Sequence, residues 1–444
     1  MLPDPAALVP RAENNPCTEQ QFLDFAYTYL EHQPLAFLLD SAGPVHERSR
    51  FSTLSGSPLC LFLQDGAGVN LTNWQTDQKA RISLTEFFDW VEAFSQHCPA
   101  ESPARLFCLW TYELNHQAPS PLPHPLWTGP QAVWLLTGDS WLFDRRTQTL
   151  TGPAGPKHVF EFTWPHKPHI LALGWRDGKA PYLQQIAVIQ NDIYEGNFYQ
   201  ANLSQRFLGE TVRPPLEIYR AMRKINPSPY MGIFRMDGFH LLSGSPELLI
   251  SREGQQLASR PIAGTRPRGK SPTDDQRLAD ELRQNEKELA EHLMLVDLIR
   301  NDLGRVSRFG SVQVPEFCAI ETYSHVHHLV SHIVGQAKQG LSLRQLMDAM
   351  HPGGTITGAP KLSCMKRLAE LERECRGPYT GSIGVLRPGG DFTANILIRS
   401  LMVDRGKFCF HGGGGIVADS EPEKEYAESR QKCLALMNAL GIWV

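Results

Sequence analysis

The sequence mixes two hydrophobic periods along its whole length without settling into a regular strand–helix–strand repeat, which excludes the repetitive architectures. Apolar runs bounded by turn residues, such as Leu35-Ala36-Phe37-Leu38-Leu39 and Ala132-Val133-Trp134-Leu135-Leu136, predict strands. Tyr182, Ile186, Ile189 and Ile193 fall at helical spacing and predict a helix ending at Gly196, followed by a strand over 200–207. Further on, 241–250 predicts strands around a turn, 273–302 one long helix with an acidic first turn, and 396–410 a hairpin closing at Arg405-Gly406. Ser420 and Glu423 form a capping-box pattern before a final helix, with Pro422 tolerable in its first turn. Long strands and helices intermixed, with no internal repeat, predict an α+β fold. Proline-rich punctuation at 119–130 and 152–156 puts a soft boundary near 155–175, giving an N-terminal region 1–165 and a second region 166–444.

With 444 residues, 41% hydrophobic and 20% charged, the chain can bury a large core. A formal net charge of -4 gives no general attraction to nucleic acid or to an anionic membrane, so neither is expected as a partner, and an anionic ligand must be held locally. The first residues lack the basic start and apolar run of a signal peptide, and no segment has transmembrane length. Nine cysteines, scattered singly without a CxxC pair, predict reduced thiols and a cytoplasmic location.

Residues 264–271 satisfy the phosphate-loop pattern GxxxxGK[ST]. Pro267 removes an amide the loop would need, Pro272 follows at once, and Thr273-Asp274-Asp275 replaces an apolar helix start, so nucleotide binding is not expected. In the final helix Glu425, Glu428 and Lys432 share one face, opposite the apolar Tyr426, Cys433, Met437 and Leu440. A solvated charged face is the simplest reading of that stripe. The four glycines 412–415 just upstream, however, let a ligand approach the main chain closely, and together the two look like one wall of a site. Glu291 lies on the apolar stripe of Met294, Leu295 and Leu298, where a carboxylate is costly unless paired or metal-bound. A salt bridge and a Mg²⁺ site shared with Glu428 both remain open, since magnesium takes hard oxygen ligands and few protein donors. His325, His327 and His328 suggest zinc by count alone, but strand alternation separates His328 from the other two, so one histidine acting as a proton donor fits better. Arg399, after an apolar strand and near the glycine-rich wall, suits bidentate binding of a carboxylate.

Six segments in order resemble the chorismate-utilising family that includes anthranilate synthase large subunits, aminodeoxychorismate synthases and isochorismate synthases. They are residues 200–206 (QANLSQR), 245–247 (SPE), 260–265 (RPIAGT), 291–302, 353–361 (GGTITGAPK) and 412–432. The resemblance covers nearly the whole chain and is weaker in the first third. It implies the anthranilate-synthase-type fold, with two interleaved α/β lobes forming a β-sandwich, helices outside and the active site in the cleft. By position it implies Mg²⁺ on Glu291 and Glu428, and chorismate held by Gly264, Thr265, Tyr379, Arg399, Gly413, Gly414, Gly415 and Lys432. His328 would be the proton donor to the departing C4 hydroxyl, with Glu247 and Glu425 as acid or base candidates and Thr355 beside them. Ser41, Pro229, Tyr230 and Met231 resemble the family's tryptophan pocket, with simple packing between lobes as the alternative.

Within that family, members that add water resemble one another in a lysine base where this chain has Gln200, and glutamine cannot deprotonate water. The resemblance therefore implies an ammonia-using member. None of the cysteines has a glutaminase setting, so a separate glutamine amidotransferase subunit is the expected partner. Ala263 occupies the position of a family lysine nucleophile found in many aminodeoxychorismate synthases, and this favours anthranilate as product. The runs 353–361 and 413–417 look more like those that make 4-amino-4-deoxychorismate, and this product is the expectation. Anthranilate formation is the alternative, ahead of isochorismate or salicylate formation or a non-catalytic binding subunit.

Overall fold

The computed structural model describes residues 2–4, 13–45, 49–66, 68–114, 122–153, 162–163, 174–176, 178–323 and 326–442. Among them the chain forms two antiparallel sheets of 12 strands each. The first runs outward from Leu35–Asp40, which pairs with Met231–Met236, through Phe239–Ser243, Ser400–Asp404 and Lys407–Ile416 to Gln200–Glu210. The second contains Arg105–Trp110 paired with Ser382–Leu386, then Phe392–Asn395, Leu248–Glu253, Gln256–Arg260, Val326–Gln336 and Ile262–Pro267. Strands from the first third of the chain enter both sheets, so the lobes interleave. Most of the 155–175 boundary lies outside the described residues.

Why these strands stack is visible in single segments. In Ala132–Thr137, Val133 and Leu135 face the other sheet, while Ala132, Trp134 and Leu136 face the helices on the outside. Leu35–Asp40 does the same, with Leu35 and Phe37 inward and Ala36 and Leu38 outward. A strand covered on both faces needs a continuous apolar run rather than alternation. Phe37 and Phe107 stack with ring centroids 5.5 Å apart and join the sheets. Helices Glu19–His32, Pro215–Ile225 and Leu434–Leu440 cover one sheet; Leu84–His97, Glu286–Val306 and Leu343–Met350 cover the other. The result is the α+β β-sandwich with helices outside.

Several local expectations hold: the helix Lys179–Tyr194, the strand Gln200–Glu210, and the hairpin turn at Arg405 (φ 44°) and Gly406 (φ 84°). Four need correction. The expected single final helix is two, Pro422–Gln431 and Leu434–Leu440, broken at Lys432-Cys433. The expected helix over 273–302 is two helices, Pro272–Gln284 and Glu286–Val306. Asn285 leaves helical geometry, and its side chain caps the second helix by accepting from Glu288 N at 3.0 Å. The capping box at Ser420 does not form. Glu421 is the N-cap, and Ser420 Oγ instead accepts from Val417 N (3.1 Å) and donates to Glu425 Oε1 (2.8 Å). The strands around 241–250 are not a hairpin: Phe239–Ser243 belongs to the first sheet and Leu248–Glu253 to the second.

Candidate active site

That last correction creates the site. Residues 244–247 carry the chain from one sheet to the other, and 396–399 carry it back, side by side. Ser245 Oγ donates to Ile396 O (2.5 Å), Ile396 N to Glu247 O (3.1 Å) and Gly244 N to Arg399 O (3.0 Å). Glu247 and Arg399 therefore come within electrostatic reach of each other where the two crossovers run side by side. Glu247 is 4% exposed and accepts from Thr355 Oγ1 at 2.9 Å. Burial pushes its carboxyl up to about 7, against the pull of Thr355, the Ile262 backbone, Arg399 and Lys432. Arg399 is held in left-handed geometry (φ 51°), a costly conformation for a residue that carries a Cβ. No ion-pair or hydrogen-bond partner for its guanidinium occurs among the described residues, although it feels Glu247 electrostatically.

The strands Ile262–Pro267 and Val326–Gln336 supply the next wall. A register shift between Ala263 and Thr265 accompanies Gly264 (φ 62°), where a Cβ would press on Leu282 and on Glu288 Oε2 at 2.9 Å. Thr265 Oγ1 lies 3.0 Å from His328 Nδ1. Burial, then the Arg399 charge, lowers His328 to about 3, so its imidazole is neutral near neutral pH. His327 points the other way, 2.9 Å from Thr322 Oγ1 and 2.9 Å from Asp275 Oδ1, as strand alternation requires. His325 lies outside the described residues. The phosphate-loop pattern begins inside the strand Ile262–Pro267, and in the short loop left before the Pro272–Gln284 helix Gly269 N donates to Asp275 Oδ1 (2.7 Å) and Lys270 N to Asp274 Oδ2 (3.2 Å).

Opposite stand the glycine run and the Pro422–Gln431 helix. A Cβ on Gly412 would collide with the Ser429 carbonyl and lie 2.5 Å from Cys433 Sγ, so glycine here lets helix and strand touch. Gly414 has room, with Glu425 Oε2 and Lys432 Nζ both 3.6 Å from its would-be Cβ. A Cβ on Gly415 would overlap the Gln200 amide nitrogen, which places that carboxamide on the glycine wall. Lys432 Nζ donates to Gly413 O (3.2 Å) and pairs with Glu428 Oε1 (2.8 Å). Tyr379 stacks on His411, with ring centroids 4.6 Å apart and planes 8° apart, behind this wall.

The acidic side combines two helices. Glu291 is raised to about 7 by burial, opposed by Lys287 and reinforced by the charges of Glu288, Glu425 and Glu428. Glu425 is raised by burial, while Glu428 is lowered chiefly by Lys432. Glu291, Glu425 and Glu428 thus feel one another's charge and offer only oxygen donors, a donor set that fits a hard divalent cation. Lys287 and Glu288 are site neighbours that the sequence reading passed over, and Ser420 was read there only as a helix cap. The i, i+4 spacing of Lys287 and Glu291 was the available signal.

Elsewhere, His124, Cys409 and His411 come together, all buried. His124 Nδ1 accepts from Leu126 N (3.0 Å) and Trp127 N (2.9 Å), which puts its proton on Nε2, facing Cys409 Sγ at 3.9 Å. Metal-bound imidazoles donate through the second nitrogen, and this one accepts. Burial, then His124 and the charges of Arg206, Arg176 and Arg376, lowers His411, surroundings hostile to a cation. His124 and Cys409 are held by these hydrogen bonds, and His411 by its stacking on Tyr379.

Ser41, Pro229, Tyr230 and Met231 do come together. Ser41 Oγ donates to Pro229 O (3.1 Å), Met231 pairs with Asp40, and Tyr230 N donates to Ser245 O (3.2 Å) on the first crossover. All nine cysteines are free thiols, and no helix among the described residues is long and apolar enough to cross a membrane.

A family model described as chorismate binding enzyme matches residues 64–438. The chain is 49% identical over 261 residues to aminodeoxychorismate synthase component 1 of Bacillus subtilis (strain 168), a match covering 59% of this chain and 56% of that protein. It is 46% identical over 262 residues to an anthranilate synthase component 1 of Haloarcula marismortui, covering 59% and 54%. The matched stretch thus spans little more than half the length of each of these relatives. The crystal structure of anthranilate synthase component I from Streptococcus pneumoniae superposes with a TM-score of 0.73 at 27% identity, covering 87% of this chain and 92% of that one.

Proposed function

Because the chain belongs to the chorismate-binding enzyme family, we propose that it aminates chorismate with ammonia, forming 4-amino-4-deoxychorismate for the 4-aminobenzoate and folate branch. The observation that carries the ammonia reading is Gln200. Its carboxamide lies against Gly415 where water-adding relatives resemble one another in a lysine, and an amide cannot generate hydroxide. Ammonia needs no such base, only delivery in its unprotonated form, and a glutamine amidotransferase subunit would supply it. The glycine runs at 353–361 and 413–417 favour the 4-amino product, and the B. subtilis relative supports it.

In this reading Glu291 and Glu428 would hold Mg²⁺, which would supply a positive charge to offset the substrate carboxylates. Arg399 and the amides of Gly413–Gly415 receive the carboxylates of the substrate, with Thr265, Tyr379 and Lys432 around the ring. Glu247, with a pKa near 7, is matched to give and take a proton at neutral pH. His328, neutral in the ligand-free pocket, would gain its proton only beside a bound dianion. With Ala263 in place of a lysine, ammonia itself adds at C2 as the C4 hydroxyl leaves as water, giving 2-amino-2-deoxyisochorismate. A second ammonia then adds at C4 and releases the first.

A second reading rests on the same Ala263. The C2 amine would persist and lose pyruvate, giving anthranilate, as the names of the similar H. marismortui and S. pneumoniae proteins suggest. Product analysis separates the two. Pure protein is incubated with chorismate, Mg²⁺ and an ammonium salt at alkaline pH, with and without aminodeoxychorismate lyase. Lyase-dependent 4-aminobenzoate is the expected result; anthranilate formed without lyase overturns the proposal.

A further inference from the structure

The cation nearest the acidic helices is one of the chain's own. Lys287 stands one turn before Glu291, and its Nζ lies 3.7 Å from Glu291 Oε1 and 3.9 Å from Glu425 Oε1. It therefore reaches from the Glu286–Val306 helix to the Pro422–Gln431 helix. Its side chain is 57% exposed, so attraction to the two carboxylates, rather than packing, keeps it there. Lys432 plays the matching part for Glu428 at 2.8 Å, but it is also anchored on Gly413 O. Lys287 has no such second anchor among the described residues.

We propose that Lys287 is a resident counter-ion of the metal site, a reading that rests on Glu291 and Glu428 being its ligands. With no divalent cation bound, the ammonium offsets the charge of Glu291 and Glu425 and ties the two helices together. When a divalent cation arrives, Glu291 turns to it and the lysine swings out into solvent. Both cations want the same carboxylate, so they compete. The competition weakens binding of the metal alone, and the extra carboxylate of a bound substrate tips the balance towards the metal. The device thus favours loading of the metal together with the substrate.

The test is calorimetric titration of Mg²⁺ into the full chain without substrate, comparing wild type, K287Q, K287R, K424Q and E428Q, each checked to be folded, with one cooperative melting transition, in the absence of metal. Lys424 is an exposed lysine on the same second helix, paired outward with Glu421 at 2.6 Å, and it reports the general effect of losing one positive charge. K287Q is expected to bind Mg²⁺ about five- to tenfold more tightly. K287R should bind as wild type does, and K424Q within about twofold of it. Affinity in K287Q that is unchanged, weaker, or raised no more than in K424Q overturns the inference. If E428Q loses binding while K287Q is unchanged, the metal site stands and only the counter-ion falls. If E428Q binds like wild type, or wild type does not bind, both fall.

Discussion

Thr355 Oγ1 donates a 2.9 Å hydrogen bond to Glu247 Oε1, joining a turn and a crossover 108 residues apart in the chain. The bond favours the ionised carboxylate and opposes the burial that raises Glu247 to about 7. Thr355→Ala removes the opposition, so the pH–rate limb that reports Glu247 moves to higher pH and kcat falls about tenfold. A pH profile of initial rates checks both.

Glu247→Gln is expected to abolish turnover by about 100-fold or more and yet stabilise the fold at alkaline pH. A carboxyl whose folded pKa is raised contributes stability fully below its unfolded value, and loses it as pH rises through about 7. The amide carries no charge to desolvate. At pH 8 the variant should melt about 2–4 °C above wild type, with no gain at pH 4. Melting curves at both pH values decide it.

Metal affinity should fall with acidity. Glu291 is raised to about 7, so below that pH a proton competes for it, and Mg²⁺ binding weakens by up to about tenfold per pH unit. Titrations at pH 6 in buffers of different ionisation enthalpy should register release of about one proton per ion. Glu291→Gln removes both the binding and the pH dependence.

The glycines of the wall should separate by role. Gly412→Ala drives a methyl into the Ser429 carbonyl and should destabilise the fold by about 1–3 kcal/mol. Gly414→Ala has room, so it should fold normally while intruding on substrate between Glu425 and Lys432, raising KM about tenfold. Denaturant melts and steady-state kinetics on the pair distinguish packing from binding.

Arg399→Gln should raise KM for chorismate about 100-fold with little change in melting temperature, because its guanidinium makes no ion pair among the described residues. Retained substrate affinity, measured by direct titration, would remove Arg399 from the site.

Much of the fold was legible because its signals are local. Leu35-Ala36-Phe37-Leu38-Leu39 and Ala132 to Leu136 announce strands buried on both faces, and Arg405-Gly406 announces a two-residue hairpin turn with both φ positive. The shared face of Glu425, Glu428 and Lys432 and the run of glycines before it follow from helix and strand period alone, and the structure places Glu428 and Lys432 2.8 Å apart. What the sequence determined by itself is therefore the α+β class, the strands and helices, and the local faces on which acidic residues and glycines stand together. The tertiary structure decided the rest. Nothing near Ser243 or Leu248 says that they join different sheets; burial of the whole sandwich selects that crossover, which together with the return crossover at 396–399 brings Glu247 to Arg399 and Thr355. Asn285 divides one acidic run into two helices because its capping bond to Glu288 replaces a turn of continuous helix. Ser420 leaves the cap of the Pro422–Gln431 helix, its hydroxyl donating instead to the Glu425 carboxylate. Period and propensity act over a few residues, whereas the pairing of distant strands and carboxylates is settled by which surfaces the assembled sheets can bury together.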